Sequence, residues 1–303
     1  MAMTTGDSAG TLGSTASAAT ARNAPPPHSL PDEPLFIIQP SKSWAALDVR
    51  ALWDYRELLY FLMWRDVKVR YKQTALGVVW VVMQPLLTTL VLTAFLGRFV
   101  GSASEGIPYP LFVYVGMLPW TFFTGAVTSS SNSLVNNSHL ITKVYFPRLL
   151  IPVSAVAARL LDFAVSFVVL VAMMAYYGVG VTRAVLMLPV LVLLVTLLAL
   201  GVGMATSALN VRYRDVGVVM PLLLQLWMFA SPVVYPVGAL PEGWRRLYSL
   251  NPLVGVIEGF RSALVGRSFD WEALGVAAAV TAALLGVAAF SFRRMETYFA
   301  DIV

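Results

Sequence analysis

The chain has 303 residues, of which 58% are apolar and 12% charged, and its mean hydropathy is +0.74. A soluble domain carries about twice that charged fraction, so the composition excludes an ordinary water-soluble fold. The net charge of +5 does not indicate a nucleic-acid partner, because the basic residues lie beside apolar runs, as in membrane proteins. The sequence has no cysteine, which excludes disulfides, thiolate nucleophiles and thiolate metal sites. Its two histidines are too few for a His-based metal centre unless carboxylates or a second subunit contribute, and no metal site is expected.

The first 34 residues are rich in Ala, Ser, Thr, Gly and Pro and carry little charge. Such a segment has no apolar core, so we predict a disordered N-terminal tail over residues 1–34. No continuous apolar run follows an early basic residue, and a signal peptide is therefore not expected. His28 lies in this tail, and we do not expect it to act as a ligand.

Residues 35–75 are predicted to form a cytoplasmic segment that contains an amphipathic helix. Its charged residues recur at helical spacings along one face, and apolar residues occupy the other side. A helix with aromatics and a basic end is typical of the cytoplasmic membrane interface, although a soluble helix packed on a partner subunit is the alternative. The charged face, which only Phe61 interrupts, comprises Arg50, Asp54, Glu57, Arg65, Lys68 and Lys72. The opposite apolar stripe comprises Leu52, Tyr55, Leu59 and Leu62, and it is flanked by Trp53, Tyr60 and Trp64.

The first membrane span is predicted over residues 77–97, which include no charged side chain. This run would make about 31 Å of helix, close to the hydrocarbon thickness of a bilayer. A basic cluster precedes it, and because basic residues at span ends stay inside, the cluster marks the cytoplasmic side. The cluster consists of Arg65, Lys68, Arg70 and Lys72.

Five further spans are predicted downstream. An even number of spans places both termini on one side of the membrane. The basic residues near the span ends lie mostly on that same side, which identifies it as the cytoplasmic side. Residues 76–303 are therefore predicted to form a six-helix transmembrane domain with cytoplasmic N- and C-termini. The further spans cover residues 110–127, 149–177, 184–209, 216–235 and 273–292.

The apolar stretch 253–265 lies between the last two spans and is too short to cross a bilayer. Glu258 and Arg261 interrupt it, and Asn251 and Pro252 precede it. Such a segment is tolerated at membrane depth only where protein buries it or water reaches it. We interpret it as re-entrant or interfacial, forming a gate or vestibule on the outer side.

Arg159 and Asp162 lie within the third predicted span at a spacing that places them on one helical face. An unpaired charge at mid-membrane costs about 2.5–3.5 kcal/mol, so the two side chains are expected to pair. The pair is either a structural lock between helices or a polar contact with a substrate.

Aromatic residues are frequent in the predicted spans. Anchoring at the interface and packing are their ordinary roles. The alternative is stacking against sugar rings in a wide channel. The candidates for such a channel are Phe112, Trp120, Phe123, Trp227, Phe229 and Tyr235.

Two features of the sequence concern ATP. None of the lysines (Lys42, Lys68, Lys72 and Lys143) follows a glycine, so the chain has no P-loop, and any ATP-hydrolysing P-loop lies on another chain. The polar and then basic segment 130–148 is either a short cytoplasmic helix that docks on a soluble partner or a plain connecting loop.

Four segments together resemble a known family: LLYFLMWRDVKVRYKQTALGVVWVVMQPLL (58–87), ITKVYFPRLLIPVSAVAARLLDF (141–163), LNVRYRDVGVVMPLLLQLWMFASPVVYP (209–236) and YSLNPLVGVIEGFRSALVG (248–266). They resemble the permease subunit of type-2 ABC exporters, in the branch that exports O-antigen, capsular polysaccharide or teichoic acid. The resemblance implies an all-α integral membrane protein that forms a homodimer and binds two ATPase subunits. It also implies no cofactor in this chain, with ATP and Mg on the partner ATPase.

The resemblance assigns roles to particular segments. Residues 52–64 would form a gate helix, and residues 248–266 the outer gate helices, including Asn251, Pro252, Glu258 and Arg261. The basic cluster would meet the pyrophosphate of a polyprenyl-linked glycan, with topology setting as the alternative. The helix that docks on the ATPase would comprise Asn137, Ser138, His139, Leu140, Ile141, Thr142, Lys143 and Tyr145.

These expectations favour a non-catalytic subunit of an ATP-driven exporter in the plasma (inner) membrane, surrounded by membrane lipids. Its cargo would be a lipid-linked polysaccharide taken from the cytoplasmic side. One rival is a drug or small-lipid efflux permease of the same superfamily. Another is a membrane-embedded glycan ligase using Glu258 or Asp270, although such an enzyme needs a paired acid or base, and no convincing pair is visible.

Overall fold

The computed structural model describes residues 53–72, 77–100, 106–144, 146–239 and 241–296. Within these ranges the regular structure is helical, as the sequence predicts. The predicted disordered tail, Leu52 and Tyr145 lie outside the described residues. The α-helices are α1 (Arg56–Lys72), α2 (Gly77–Val100), α3 (Tyr109–Asn136), α4 (Ser138–Lys143), α5 (Leu150–Tyr176), α6 (Leu188–Arg212), α7 (Asp215–Phe229), α8 (Glu242–Ser249), α9 (Pro252–Val265) and α10 (Trp271–Glu296).

Five helical segments of the described chain are long and apolar enough to cross a bilayer. Crossing the hydrocarbon layer takes about 20 residues of helix. The five segments coincide with predicted spans one, two, three, four and six, and they support a multi-pass membrane protein. They are Val79–Arg98, Tyr109–Asn136, Leu150–Tyr176, Arg183–Arg212 and Trp271–Glu296.

The fifth predicted span, 216–235, contains a shorter helix than its hydropathy indicates. The helix α7 has 15 residues, which rise only about 22 Å. It ends at Phe229, and the chain turns through Ser231 and Pro232, because a residue before proline is disfavoured in the α conformation. Six full spans are therefore not confirmed. Hydropathy does not report where an apolar segment stops being helical.

The helix α3 is the most buried of the five candidate spans, and it packs against α2, α5, α6, α7 and α9. It continues to Asn136, beyond the predicted end of span two at Val127. Along this extension, Asn132 Nδ2 donates to the Thr128 carbonyl at 3.0 Å. The first part of the predicted loop 130–148 is therefore helix.

Small and amide side chains bring α6 close to α3. A Cβ atom at Gly203 would lie 2.5 Å from Ser130 Oγ, so this contact distance requires glycine. Asn210 Nδ2 donates to the Ser131 carbonyl at 3.0 Å, and its Oδ1 accepts from Gly217 N at 3.0 Å. Asn210 therefore joins α3, α6 and α7 in one buried network.

The helix α1 packs against α5 along a narrow side. Leu62 and Val67 are buried, and Leu59 is half-buried. Tyr55, which the sequence places in the apolar stripe, is exposed, as are Trp53, Tyr60, Phe61 and Trp64. The apolar side of α1 thus packs on the bundle of its own chain, and most of its aromatic rings stay accessible.

The helix α9 is buried along most of its length and contacts α3, α6 and α10. Asn251 caps its start by accepting a hydrogen bond from Leu253 N at 3.1 Å, and Gly266 ends it in the left-handed conformation with φ of 78°. A non-spanning helix at membrane depth requires such burial. The burial is consistent with the predicted gate, but a re-entrant course is not confirmed.

The helix α10 closes the fold against α6 and α9. Near its end, the Glu296 carboxylate accepts from the Arg148 backbone N–H at 3.2 Å. The Arg148 guanidinium also donates to the Glu296 carbonyl. This clasp fastens the last described helix to the residues that lead into α5.

Candidate functional site

A shared carboxylate connects α1 to α5. Asp162 Oδ2 accepts from Arg70 Nη1 at 2.6 Å and from Arg159 Nη1 at 3.1 Å, and Asp162 Oδ1 accepts from the Tyr71 hydroxyl. The sequence led us to expect Arg159 as the partner, and the structure adds two donors from α1. We call Arg70, Tyr71, Arg159 and Asp162 the Asp162 cluster.

Arg159 also connects α5 to α3. Its Nε donates to Ser129 Oγ at 2.8 Å. The guanidinium lies against Gly125, where an added Cβ would be 3.3 Å from Arg159 Nη1. Within the described residues, Arg159 Nη2 makes no hydrogen bond. Arg159 thus links α5 to α3, and its Nη2 remains available for a further hydrogen bond.

A cavity of about 280 Å³ lies between α2, α3 and α5 beside this cluster. Arg159 and Asp162 are the charged residues in its described wall. The remaining lining mixes polar, aromatic and small apolar residues. It comprises Val81, Gln84, Pro85, Thr121, Phe122, Thr124, Gly125, Thr128, Phe163 and Ser166.

The basic cluster of the sequence does not form one uniform patch. Arg65 pairs with Asp66 at 2.8 Å and Arg70 with Asp162, whereas Lys68 and Lys72 are exposed. Burial and the hydrogen bond to Asp162 raise the pKa of the Tyr71 hydroxyl above its ordinary value, so it remains a donor even at alkaline pH. Two of the four bases are therefore engaged by carboxylates of this chain.

The predicted docking segment contains a short helix, α4. Asn137, just before it, accepts a hydrogen bond from Arg65 Nη2 at 2.6 Å, which links α4 to α1. Ile141 is buried and Leu140 half-buried, and they hold α4 on the bundle. His139, Thr142 and Lys143 are exposed, and Ser138 is half-buried.

The predicted outer gate residues make a compact set of contacts. Asn251 Nδ2 donates to the Ala230 carbonyl at 2.8 Å, and its Oδ1 accepts from Trp227 Nε1 at 3.0 Å. Arg261 pairs with Glu258 at 2.7 Å. These bonds fasten α9 to the turn that follows α7, and Pro252 is buried in the first turn of α9.

Buried Arg261 also holds the start of α3. Its Nη2 donates to the Val233 carbonyl at 2.9 Å, and its guanidinium lies 3.7 Å from the centre of the Phe112 ring. A buried cation that lies over the face of an aromatic ring is attracted to that ring. Arg261 thus contacts both Glu258 and Phe112.

The candidate channel aromatics separate into two groups. Phe112, Trp120 and Phe123 are 1%, 4% and 0% exposed, so in this structure they pack in the core of the chain. Phe229 is 63% exposed. Trp227 and Tyr235 are half-buried, and each donates a hydrogen bond within the chain. A channel role stays a prediction, with Phe229 the most accessible ring of the six.

The sequence matches the ABC-2 type transporter family over residues 57–265, from α1 to the end of α9. The chain belongs to this family. The match includes the Asp162 cluster, α4 and the contacts around Asn251. The resemblance inferred from the four sequence segments is therefore confirmed.

Similar curated members of the family are transport permeases. The chain is 32% identical to the O-antigen export system permease protein RfbA of Myxococcus xanthus over 259 residues, 84% of this chain and 98% of that protein. It is 28% identical to RfbA of Klebsiella pneumoniae over 249 residues, 82% of this chain and 95% of that protein. It is 25% identical to the polysialic acid transport protein KpsM of Escherichia coli over 209 residues, 67% of this chain and 80% of that protein.

Sequence reasoning missed the partners that α1 supplies to Asp162 and to Asn137. Arg70 and Tyr71 lie 92 and 91 residues before Asp162, and Arg65 lies 72 residues before Asn137. Helical periodicity relates residues within a few turns and gives no signal at such separations. One signal was available in the sequence. Several basic residues lie directly before the first predicted span, and an acidic residue lies inside a later span.

Proposed function

We propose that this family member is the membrane subunit of an ATP-driven exporter of lipid-linked polysaccharide. Two copies would assemble with two ATPase subunits in the inner membrane, and the cargo would be a glycan on a polyprenyl diphosphate. The observation that carries the proposal is the alignment with nearly the whole length of a relative named as an O-antigen export permease. The five apolar segments and the lack of a P-loop in the sequence support it.

The proposed topology has six crossings and cytoplasmic termini. In this arrangement α7 and the turn after it cross from the cytoplasmic side to the outer side. There α8 and α9 form the gate helices, and α10 crosses back to the cytoplasm. The excess of arginine and lysine near the ends of the spans supports this orientation. The burial of α9 by α3, α6 and α10 supports a gate inside the protein rather than a helix exposed to lipid.

The proposed coupling route runs from α4 through α1 to α5. Closure of the ATPase dimer would push on the exposed side of α4, since α4 is short and its other side is anchored by Ile141. The Arg65–Asn137 hydrogen bond would pass this movement to α1, and the Arg70–Asp162 bond would pass it to α5. Packed helices move as bodies, so α5 would shift relative to α3.

The decisive experiment compares substrates on the complex of this chain with its ATPase subunit in proteoliposomes. Lipid-linked glycan should stimulate ATP hydrolysis more than drug-like lipophiles do, and it should appear on the opposite side of the membrane. The reverse ranking of the two substrate classes would favour the drug or small-lipid efflux permease.

Charge reversal on α4 should uncouple the two subunits. Lys143→Glu places an acid on the proposed docking side, and an unpaired or repelled charge at an interface costs several kcal/mol. We expect glycan-stimulated ATP hydrolysis to fall about fivefold or more. Lys143 is exposed, so folding should be unaffected.

Arg183→Glu is the matched control for this variant. Arg183 is also exposed, and it lies at the other end of the bundle, before α6. This control should keep the ATP hydrolysis rate of the unaltered complex. Equal rates in the Lys143→Glu and Arg183→Glu complexes would remove α4 from the coupling route.

The glycan ligase hypothesis can be tested at Asp270. Its Oδ1 accepts a hydrogen bond from Ala273 N at 3.0 Å, which caps α10. Asp270→Asn should keep both the cap and export, whereas Asp270→Ala should lower the free energy of unfolding by about 1 kcal/mol. Thermal unfolding and export are measured on the same preparations. An Asp270→Asn protein that unfolds normally but no longer exports glycan would support catalysis, and full export would dismiss it.

A further inference from the structure

The helix α8 carries a stripe of large apolar side chains that the protein leaves uncovered. Trp244, Leu247 and Leu250 recur every three residues, so they lie along one side of α8 and of the residue that follows it. Their exposed fractions are 64%, 60% and 57%. We call these three residues the α8 stripe. An aqueous surface gains nothing from such a stripe, because apolar side chains are stabilised by leaving water.

The protein holds α8 mainly through its C-terminal end. The Tyr248 hydroxyl donates to the Tyr235 hydroxyl at 2.9 Å, and α8 packs against α9, which follows it directly. Gly243 lies one turn before Leu247 on the same side of the helix. Apart from α8 itself, no described residue lies within 4 Å of a Cβ atom built at Gly243. The side that carries the α8 stripe is therefore open from its first turn.

Hydrogen bonds place α8 beside the end of the apolar helix α7. The Tyr235 hydroxyl donates to the Phe229 carbonyl at 2.6 Å, and Asn251 Nδ2 donates to the Ala230 carbonyl. Phe229 is the last residue of α7. In the proposed topology, on which this placement depends, α7 ends near the outer surface of the membrane. The α8 stripe therefore lies at the boundary between lipid and water.

The composition of α8 fits a lipid surface better than a protein partner. Tryptophan is enriched at membrane boundaries, and interfacial helices combine such residues with basic ones. Two arginines, Arg245 and Arg246, follow Trp244 in the sequence. Three exposed side chains also offer much less surface than the roughly 800 Å² per partner that a stable protein interface buries.

We propose that α8 lies in the outer leaflet of the membrane and that the α8 stripe inserts between the phospholipids. The partner of this surface is the bilayer in which the protein itself sits, not its cargo. Because α8 bonds to the turn after α7 and leads into α9, the lipid would hold the outer ends of both helices at a fixed depth.

The test uses the full chain alone in nanodiscs of phosphatidylethanolamine and phosphatidylglycerol, so that it requires neither an ATPase nor a glycan. A single cysteine replaces Trp244 or Leu247 and carries a spin label, and the sequence has no native cysteine that would compete. Collisions with oxygen report lipid, and collisions with a water-soluble nickel chelate report water. Exposed Val168 on α5 calibrates the signal for lipid, and exposed Lys143 on α4 calibrates it for water.

Labels at Trp244 and Leu247 should show an oxygen-to-nickel collision ratio about fivefold or more above that at Lys143, because interfacial helices bury their apolar side about 5–10 Å into the headgroup and acyl boundary. Arg245→Cys is the control on α8 itself. Position 245 lies about 160° around the helix from Leu247, so its ratio should be close to that at Lys143.

Two results would overturn the proposal. Labels at Trp244 and Leu247 that collide with nickel as freely as the label at Lys143 would show that the stripe faces water. Labels that are shielded from both reagents would show that a protein surface, such as a second copy of the chain, covers it.

Leu247→Glu gives an independent test in the chain labelled at position 244. A carboxylate is costly in lipid, so the ratio at position 244 should fall about twofold or more. Leu247→Phe should keep the ratio, and both variants should fold because Leu247 is exposed. An unchanged ratio in the Leu247→Glu protein would count against insertion.

Two separate measurements distinguish this proposal from the proposed function. An impermeant thiol reagent outside spheroplasts should modify Arg245→Cys and not Lys143→Cys, and the reverse result would overturn the outer leaflet. Glycan export is measured on the unaltered complex. Export together with a stripe that faces water rejects the lipid anchor alone, whereas an inserted stripe without export supports the anchor and rejects the exporter.

Discussion

Replacing Asp162 by asparagine should detach α1 from α5 and lower the free energy of unfolding by about 2–4 kcal/mol. The substitution leaves the Arg70 and Arg159 guanidiniums without the carboxylate that both of them bind at present. Removing one partner of a buried ion pair costs more than the pair itself contributes, because the remaining charge is uncompensated. The partial exposure of both arginines keeps the expected value below that for a fully buried pair.

Two measurements test this result. Unfolding in mixed micelles gives the change in free energy, and spin labels on introduced cysteines in α1 and α5 report the distance between the helices. The labels are specific, because the sequence has no native cysteine.

Asp66→Asn is the matched control for Asp162→Asn. Asp66 pairs with Arg65, and both side chains are partly exposed. Such pairs contribute about 0–1 kcal/mol, so this variant should unfold almost like the unaltered chain. A similar loss of stability in the two variants would show that Asp162 has no special role in holding α1.

Replacing Gly255 by alanine should force α9 away from α10. An added Cβ would lie 2.4 Å from the Ala273 carbonyl oxygen and 2.8 Å from its carbonyl carbon. These atoms belong to the backbone and cannot rotate away, so the helices must separate. Overpacking of this kind costs about 1–3 kcal/mol and sometimes more, and we expect the upper part of that range.

Gly275→Ala on α10 provides the comparison, because nothing lies within 4 Å of a Cβ built there. Alanine is favoured over glycine in a helix by up to about 1 kcal/mol, so this variant should unfold at the same temperature as the unaltered chain or above it. Tryptophan fluorescence during heating measures both variants. A Gly255→Ala protein as stable as Gly275→Ala would contradict the close contact between α9 and α10.

The sequence was sufficient to predict most of the helical architecture. Residues 77–97 form an uninterrupted apolar run, and a single physical requirement, crossing the hydrocarbon layer, determines its length. The segment 216–235 satisfies the same requirement by composition, yet α7 ends at Phe229. Asn251, 20 residues after Ser231, bonds to the turn there, and composition does not encode that contact.

The aromatic residues show a second limit of prediction from sequence. Phe112, Trp120 and Phe123 share one side of α3, which a pattern of spacing detects. Spacing does not tell which neighbour covers that side, and α3 is surrounded by other helices of its own chain. A helix that is apolar all round is generally a buried one.

The contacts of the Asp162 cluster could be predicted from the sequence only in part. The sequence indicated that Arg159 requires a carboxylate, because an unpaired charge in a membrane helix is costly. It did not indicate that α1 would supply two more donors from far along the chain. The local pair was thus predictable, and the link that could transmit movement was not.

The clasp between Arg148 and Glu296 bears on how short a functional fragment can be. The family match stops at residue 265, before α10 begins. A truncation there would uncover the apolar sides of α6 and α9 and remove the acceptor that Arg148 uses. Expression work that trims the C-terminus should therefore cut beyond Glu296, so that α10 keeps covering α6 and α9 and Arg148 keeps its acceptor.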